Sequence, residues 1–319
     1  MAEKIRRYEV KKRVLVTGGS GLVGSAIAEL QANYPQYKFI FSSRQQHDLT
    51  RGDDVKRLFD ETQPDCVIHT AARTGGVGRN LNKPARQYYD NVLINSHIIH
   101  FAHLFGVKRL LVFSSVTVFP SDVDIVREDL LHKGVPHSSI YTYAYSKRMM
   151  DVQIQAYAKQ YGTSSCSIIA GNIFGERDNF NTEDGHVVPS LIHKCFIAKQ
   201  NNTFLQAWGD GSPYREFIYS KDIARISIDL LDDSVKLPRR MIVSGKKEVQ
   251  IKELINKICD VFGYHKVKWI PHKTNGQLRR TSDKQIFNSV FPSFKYTSLM
   301  DALGYTIRWF EENYPNIRT

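Results

Sequence analysis

Apolar and polar positions fall into alternating blocks of strand length and helix length along the first half of the chain. Val14-Leu15-Val16, inside Arg13–Thr17, reads as a buried strand, and Leu22–Leu30 as the helix after it. The same order then recurs. Lys38–Ser43 is predicted as a strand, and a helix capped by Thr50 ends near Thr62, before Pro64. Strands follow at Cys66–Thr70, Leu110–Ser115 and Cys166–Ala170, with long helices at Pro84–Phe105 and Tyr141–Tyr161 between them. Ser121–Ile140 is irregular and polar. Strands that alternate with helical stretches predict βαβ units and a parallel sheet with helices on both faces. Beyond Asn172 the alternation loosens. Helices are expected at Val187–Lys199, Lys221–Leu231, Ile251–Phe262 and Leu299–Tyr314, with short strands at Thr203–Trp208, Phe217–Tyr219 and Val267–Ile270.

The turn after the first strand narrows the fold. It reads Gly18-Gly19-Ser20-Gly21-Leu22-Val23-Gly24. A first glycine allows a tight strand-to-helix turn, a middle one admits a pyrophosphate, and a last one lets helix pack on strand. The helix N-terminus offers free N–H groups to an anion. The fold class expected is therefore α/β, a Rossmann-type doubly wound parallel sheet with a smaller C-terminal α/β substrate lobe. Residues 1–172, with 216–246 returning to them, form the dinucleotide-binding part, and 173–215 with 247–319 form the lobe.

Cofactor choice is made about 20 residues past the glycines. No acid stands there to take a ribose 2′-hydroxyl. Ser42, Ser43 and Arg44 do, and Arg44 suits a 2′-phosphate, so NADP is preferred to NAD; Arg44 as an ordinary surface residue is the alternative. Asp48 and Leu49 are placed to flank an adenine, and the small Ala71 and Ala72 leave room for a cofactor after the third strand. The glycine-rich loop Arg73–Asn80 is read as facing a substrate. Leu110–Ser115 ends in hydroxyls at a strand edge where ligands collect. Tyr143 and Lys147 lie four residues apart on one helical face. An ammonium beside a phenol is expected to bring its proton exchange closer to neutral pH. After a dinucleotide turn and a Ser-Ser strand end, this pair marks a short-chain dehydrogenase/reductase of the extended kind.

Charge and cysteines add bounds. The net charge of +12 favours anionic ligands, but Lys and Arg are spread along the chain and no nucleic-acid motif accompanies them. The first 13 residues are charged and lack the apolar core of a signal peptide, and no apolar run is long enough to span a bilayer. Four scattered cysteines show no metal spacing and read as free thiols in a reducing, cytoplasmic setting.

More specific blocks follow: Tyr143–Asp151, Asp178-Asn-Phe-Asn-Thr-Glu-Asp-Gly-His186-Val-Val-Pro, Leu191-Ile-His-Lys194 and Trp208-Gly-Asp-Gly-Ser-Pro-Tyr-Arg215-Glu-Phe-Ile-Tyr. With Gly18–Gly24, Gly75-Gly76 and Arg79-Asn80, they make the chain resemble, over nearly its whole length, the GDP-L-fucose synthase family, the 3,5-epimerase/4-reductases of GDP-4-keto-6-deoxymannose, and within it the animal form. The resemblance implies a reductase trio of Ser115, Tyr143 and Lys147, with His186 as the acid of epimerisation. It implies NADP held also by Ala170, Asn172 and Ile173, and a GDP-linked 4-keto-6-deoxy sugar held by Lys194, Trp208 and Arg215; cations suit a diphosphate, and the Arg279-Arg280 pair is a further candidate to bind it. It implies a homodimer joined through the helices Pro84–Phe105 and Tyr141–Tyr161.

Three positions depart from the family pattern. Thr117 stands where the family has the cysteine that removes protons beside the ketone. A thiol with pKa near 8.5 supplies a thiolate; a threonine hydroxyl does not. Ala170-Gly171-Asn172 replaces Pro-Thr-Asn, and Asn275 replaces an acid. The expectation is a 4-reductase with its epimerase base missing. A full synthase with another base, and a non-catalytic NADP-binding protein, stay open as alternatives.

Overall fold

The computed structural model describes residues 11–75, 83–270 and 278–319. Its centre is a six-stranded parallel sheet of β1 (Lys12–Thr17), β2 (Tyr37–Ser42), β3 (Cys66–His69), β4 (Arg109–Ser115), β6 (Ser165–Ala170) and β10 (Arg240–Val243), in the order β2-β1-β3-β4-β6-β10. The chain steps from β1 to one side for β2 and to the other for β3, so a crevice opens at the C-terminal ends of β1 and β3.

Alternation along the strands builds both layers. Val14 and Val16 face one side, in a core shared with α1 (Leu22–Leu30) and α6 (Ser220–Asp229). Leu15, Val67, Leu110 and Val112 face the other, against α2 (Gly52–Thr62), α3 (Pro84–Leu104) and α4 (Tyr141–Tyr161). Leu15 has no exposed surface, and truncating it to alanine is expected to cost about 3 kcal/mol. α2 starts at Gly52 behind Arg51 rather than at a Thr50 cap, because Asp48 Oδ1 takes both the Thr50 N–H and hydroxyl.

A second core gathers Phe174, Phe180, Ile192, Leu254, Ile258 and Phe310. It is built by α5 (Val187–Gln200), α7 (Ile251–Phe262) and α9 (Leu299–Asn313), with β8 (Leu205–Trp208) beside β12 (Val267–Ile270). β7 (Asn172–Phe174), β9 (Tyr214–Tyr219) and β11 (Glu248–Gln250) form a three-stranded sheet at the junction. β9 serves both cores, Ile218 on one face and Phe217 and Tyr219 on the other.

Two features differ from expectation. β10, four residues long, shows no periodicity of its own yet completes the large sheet. Residues 247–319 do not all belong with the second core: Phe287 of α8 (Gln285–Val290), with Phe291, Phe294 and Tyr296, packs into the core of the large sheet. Nothing in a six-residue apolar helix says which sheet it covers. Last, β13 (Thr281–Ser282) pairs with β5 (Ile125–Val126), tying the late chain to the segment after β4.

Candidate active site

Gly18 has φ +72°, and a Cβ there would meet the Ala71 backbone at 2.9 Å. A Cβ on Gly24 would lie 2.3 Å from the Gly18 carbonyl oxygen. These contacts make a bare backbone cradle at the crevice, leading into α1, whose start no side chain caps. Ser20, Leu22 and Val23 lie in the same turn and first helical positions. The Gly19 N–H donates to the Ser42 carbonyl at 3.1 Å, which sets the end of β2 and exposed Arg44 beside the cradle. Asp48 is held below the usual carboxylate range, first by the Thr50 hydroxyl, and Leu49 beside it is buried. Ala71 and Ala72 line the exit of β3. Across the sheet, Ala170 closes β6, and Asn172 Nδ2 donates to the Glu216 carbonyl at 2.9 Å; Ile173 packs on the large core. A nucleotide diphosphate fits this cradle. Of the glycine-rich loop, Gly76, Arg79 and Asn80 lie outside the described residues, as does Asn275. Arg73 is drawn away into an ion pair with Asp90.

Behind the cradle runs a polar rail that the sequence did not signal. Thr17 Oγ1 lies 2.7 Å from His69 Nδ1, His69 Nε2 lies 3.1 Å from Asn95 Oδ1, and Asn95 Nδ2 donates to the Ser146 carbonyl at 3.4 Å. Burial holds the His69 imidazole down to about 3, so it is neutral. The rail ends on α4 between Tyr143 and Lys147.

Tyr143 and Lys147 share one face of α4, with the ammonium 5.9 Å from the phenol ring centroid. Lys147 is 2% exposed and donates to the Phe113 carbonyl of β4 at 2.8 Å. Burial pushes the ammonium down to about 8 and the phenol up to about 12. The expected lowering of the phenol is therefore corrected: desolvation outweighs the neighbouring amine, which is committed to a backbone carbonyl. A phenol in this state is protonated across the neutral range, as a proton donor must be. At the end of β4, Ser115 Oγ accepts from the Thr117 hydroxyl at 3.0 Å and from the Thr117 N–H at 3.3 Å.

The remaining predicted residues lie on the lobe side. Arg215, on β9, is desolvated, and its guanidinium is held below its usual value. Arg280 is held down likewise, first by burial and then by Arg215. It donates to the carbonyls of Val116 (3.1 Å) and Pro120 (2.9 Å), on either side of Thr117. The two partly buried guanidinium groups are thus close enough for one to disfavour the charge of the other. Arg279, next to it in the sequence, is an exposed guanidinium bound by Glu248, with bonds of 2.5–3.1 Å. Adjacent residues of an extended chain point to opposite sides, so the Arg-Arg pair in the sequence could not say which one faces inward. Lys194 stands 4.3 Å over the Trp208 ring. His186 is exposed at the N-cap of α5, near the buried Asp178. Among the described residues, no cluster of His, Cys, Asp and Glu is arranged to hold a metal ion.

Residues 14–244 match the model of the NAD dependent epimerase/dehydratase family. A GDP-L-fucose synthase of Dictyostelium discoideum is 33% identical over 97% of this chain and 98% of its own. A probable GDP-L-fucose synthase of Drosophila melanogaster is 34% identical over 96% and 99%. The crystal structure of a GDP-L-fucose synthetase from Naegleria fowleri bound to NADP superposes with a TM-score of 0.90, at 34% identity over 97% of this chain and 95% of that one. The glycine cradle, the Ser115–Tyr143–Lys147 set and these full-length likenesses agree: the chain belongs to the NAD dependent epimerase/dehydratase family and, within it, to the GDP-L-fucose synthases.

Proposed function

We propose that the chain is an NADP-dependent oxidoreductase that reduces carbon 4 of a GDP-linked 4-keto-6-deoxy sugar without epimerising carbons 3 and 5. The observation that carries the reduction is Tyr143, protonated and half-buried, on the same helical face as Lys147 and opposite the strand that ends in Ser115. NADPH, when bound in the glycine cradle, supplies the hydride. Ser115 donates a hydrogen bond to the substrate carbonyl oxygen, and Tyr143 gives its phenolic proton to the alkoxide that develops there. Lys147 holds ribose hydroxyls and lowers the cost of the transient phenolate. Solvent returns the proton to Tyr143, so one ketone and one proton are consumed for each NADPH oxidised. Arg215 and Arg280 take the diphosphate of the sugar nucleotide, and Lys194 with Trp208 takes its nucleoside end.

What supports the loss of epimerisation is Thr117. No thiol or carboxylate replaces it in the turn after β4, and a threonine hydroxyl cannot remove a proton beside a ketone at useful rates. The full synthase is the second reading, favoured by the names of the full-length relatives. Heavy water separates the two. Product made from GDP-4-keto-6-deoxymannose in D2O should carry no deuterium at carbons 3 and 5; deuterium there at the rate of turnover would sink the reductase-only form. For the reduction itself, Tyr143→Phe should lower kcat by about 10²–10⁴-fold. Undiminished NADPH oxidation would refute it.

A homodimer belongs to the same proposal. Tyr141, Tyr145, Met149 and Val152 form an exposed stripe at helical spacing on α4, with Tyr88 and Tyr89 exposed on α3, which packs against α4. A second copy covering both helices would bury it. Four buried free thiols support a cytoplasmic setting. No helix among the described residues is long and apolar enough to cross a membrane.

A further inference from the structure

We infer that Thr117 is a positioning residue that aims the Ser115 hydroxyl at the substrate carbonyl; this rests on the carbonyl reduction proposed above. A serine hydroxyl has one proton to give and two lone pairs to fill. Ser115 Oγ receives both the N–H of Thr117, at 3.3 Å, and its hydroxyl, at 3.0 Å. With both lone pairs occupied by one neighbour, the Ser115 proton is directed away from Thr117 and is left to be donated. A bound ketone oxygen needs that donor, and it needs it more as charge develops on the oxygen. The residue that cannot act as a base here thus has a different task on the same turn.

The turn is rigid enough for this to matter. Ser115 caps the single helical turn Val116–Val118, and the side chains of Val118 and Phe119 are fully buried. Two guanidinium groups hold its carbonyls: Arg280 takes those of Val116 and Pro120, and Arg148 Nε takes that of Val118 at 2.7 Å. Branching at Cβ further limits the rotamers of Thr117. A thiol at this position would keep the backbone bond but donate weakly, and a thiolate would compete for the Ser115 proton instead of freeing it.

The test is a mutant cycle read by NADPH oxidation with GDP-4-keto-6-deoxymannose, with melting temperature followed in parallel. Thr117→Val keeps the shape and removes the donor. It should lower kcat about tenfold, KM for the sugar nucleotide staying within about twofold, while Thr117→Ser restores most of the rate. Ser115→Ala should cost about 10²–10³-fold, and adding Thr117→Val to it should cost nothing further, because Thr117 acts only through Ser115. Thr117→Ala carries the same comparison if the valine variant melts below the assay temperature. A donor-less variant with wild-type kcat, or a loss that persists undiminished in the Ser115→Ala background, overturns the positioning role and leaves the reduction standing. A wild-type protein that turns over no 4-keto sugar nucleotide overturns both.

Discussion

Replacing Lys147 with methionine should make the protein more stable and inactive at once. Lys147 is 2% exposed, and burial pulls its ammonium from the ordinary 10.5 down to about 8. At 1.36 kcal/mol per pH unit, that charge costs the folded state about 3 kcal/mol at neutral pH. The bond to the Phe113 carbonyl returns about 1–2 kcal/mol of what methionine would relieve, so the expected net gain is about 1–2 kcal/mol. In a chain of this size that is a rise in Tm of about 3 °C. The sign has a pH signature. Between about pH 8 and 10.5 the unfolded lysine holds its proton and the folded one does not, so wild-type stability rises with pH across that window. Methionine has no proton to lose, so its advantage of about 1–2 kcal/mol should shrink above pH 8, vanish near about pH 9 and become a deficit by about 10.5. Calorimetry of the cofactor-free protein at several pH values measures this, and NADPH oxidation gives the activity. A variant less stable than wild type at pH 7, or a gain indifferent to alkaline pH, would refute the reasoning.

Other consequences follow from the same geometry. Gly24→Ala forces a methyl against the Gly18 carbonyl and should weaken NADP binding about tenfold or more by fluorescence titration, since α1 must leave the turn to make room. Arg280→Ala should raise KM for the GDP-sugar about 30-fold, the value of roughly 2 kcal/mol for a charge-assisted bond, while Arg279→Ala changes it less than about twofold; equal effects would misplace the anion site. Tyr145→Arg with Met149→Arg puts charges in the exposed α4 stripe and should yield a single 36.6 kDa species in sedimentation, where wild type sediments at twice that mass.

The large sheet was legible because its strands carry dense β-branched runs and its first turn carries three glycines that a Cβ would obstruct. Tyr143 and Lys147 were legible because helical spacing alone puts i and i+4 on one face. Their proton affinities were not, since those depend on depth: burial moved both groups in the direction opposite to mutual attraction. β10 escaped because four residues hold no period. Arg280 could be separated from Arg279 only by knowing that Glu248 lies on one side of the strand and Val116 on the other. The His69 rail was invisible because its members, Thr17, His69, Asn95 and Ser146, are scattered over 130 positions and unremarkable singly.

That rail leaves its imidazole a single workable tautomer. Asn95 Oδ1 can only accept, so Nε2 carries the hydrogen and Nδ1 receives the Thr17 hydroxyl, with every dipole in the file pointing toward the helix that bears the proton donor. An extra proton would reverse the contact at Thr17, whose hydroxyl would then accept from Nδ1–H instead of donating to it. The strand end that leads into the glycine turn and the helix that bears Tyr143 are thereby joined by one continuous run of hydrogen bonds through the interior of the sheet.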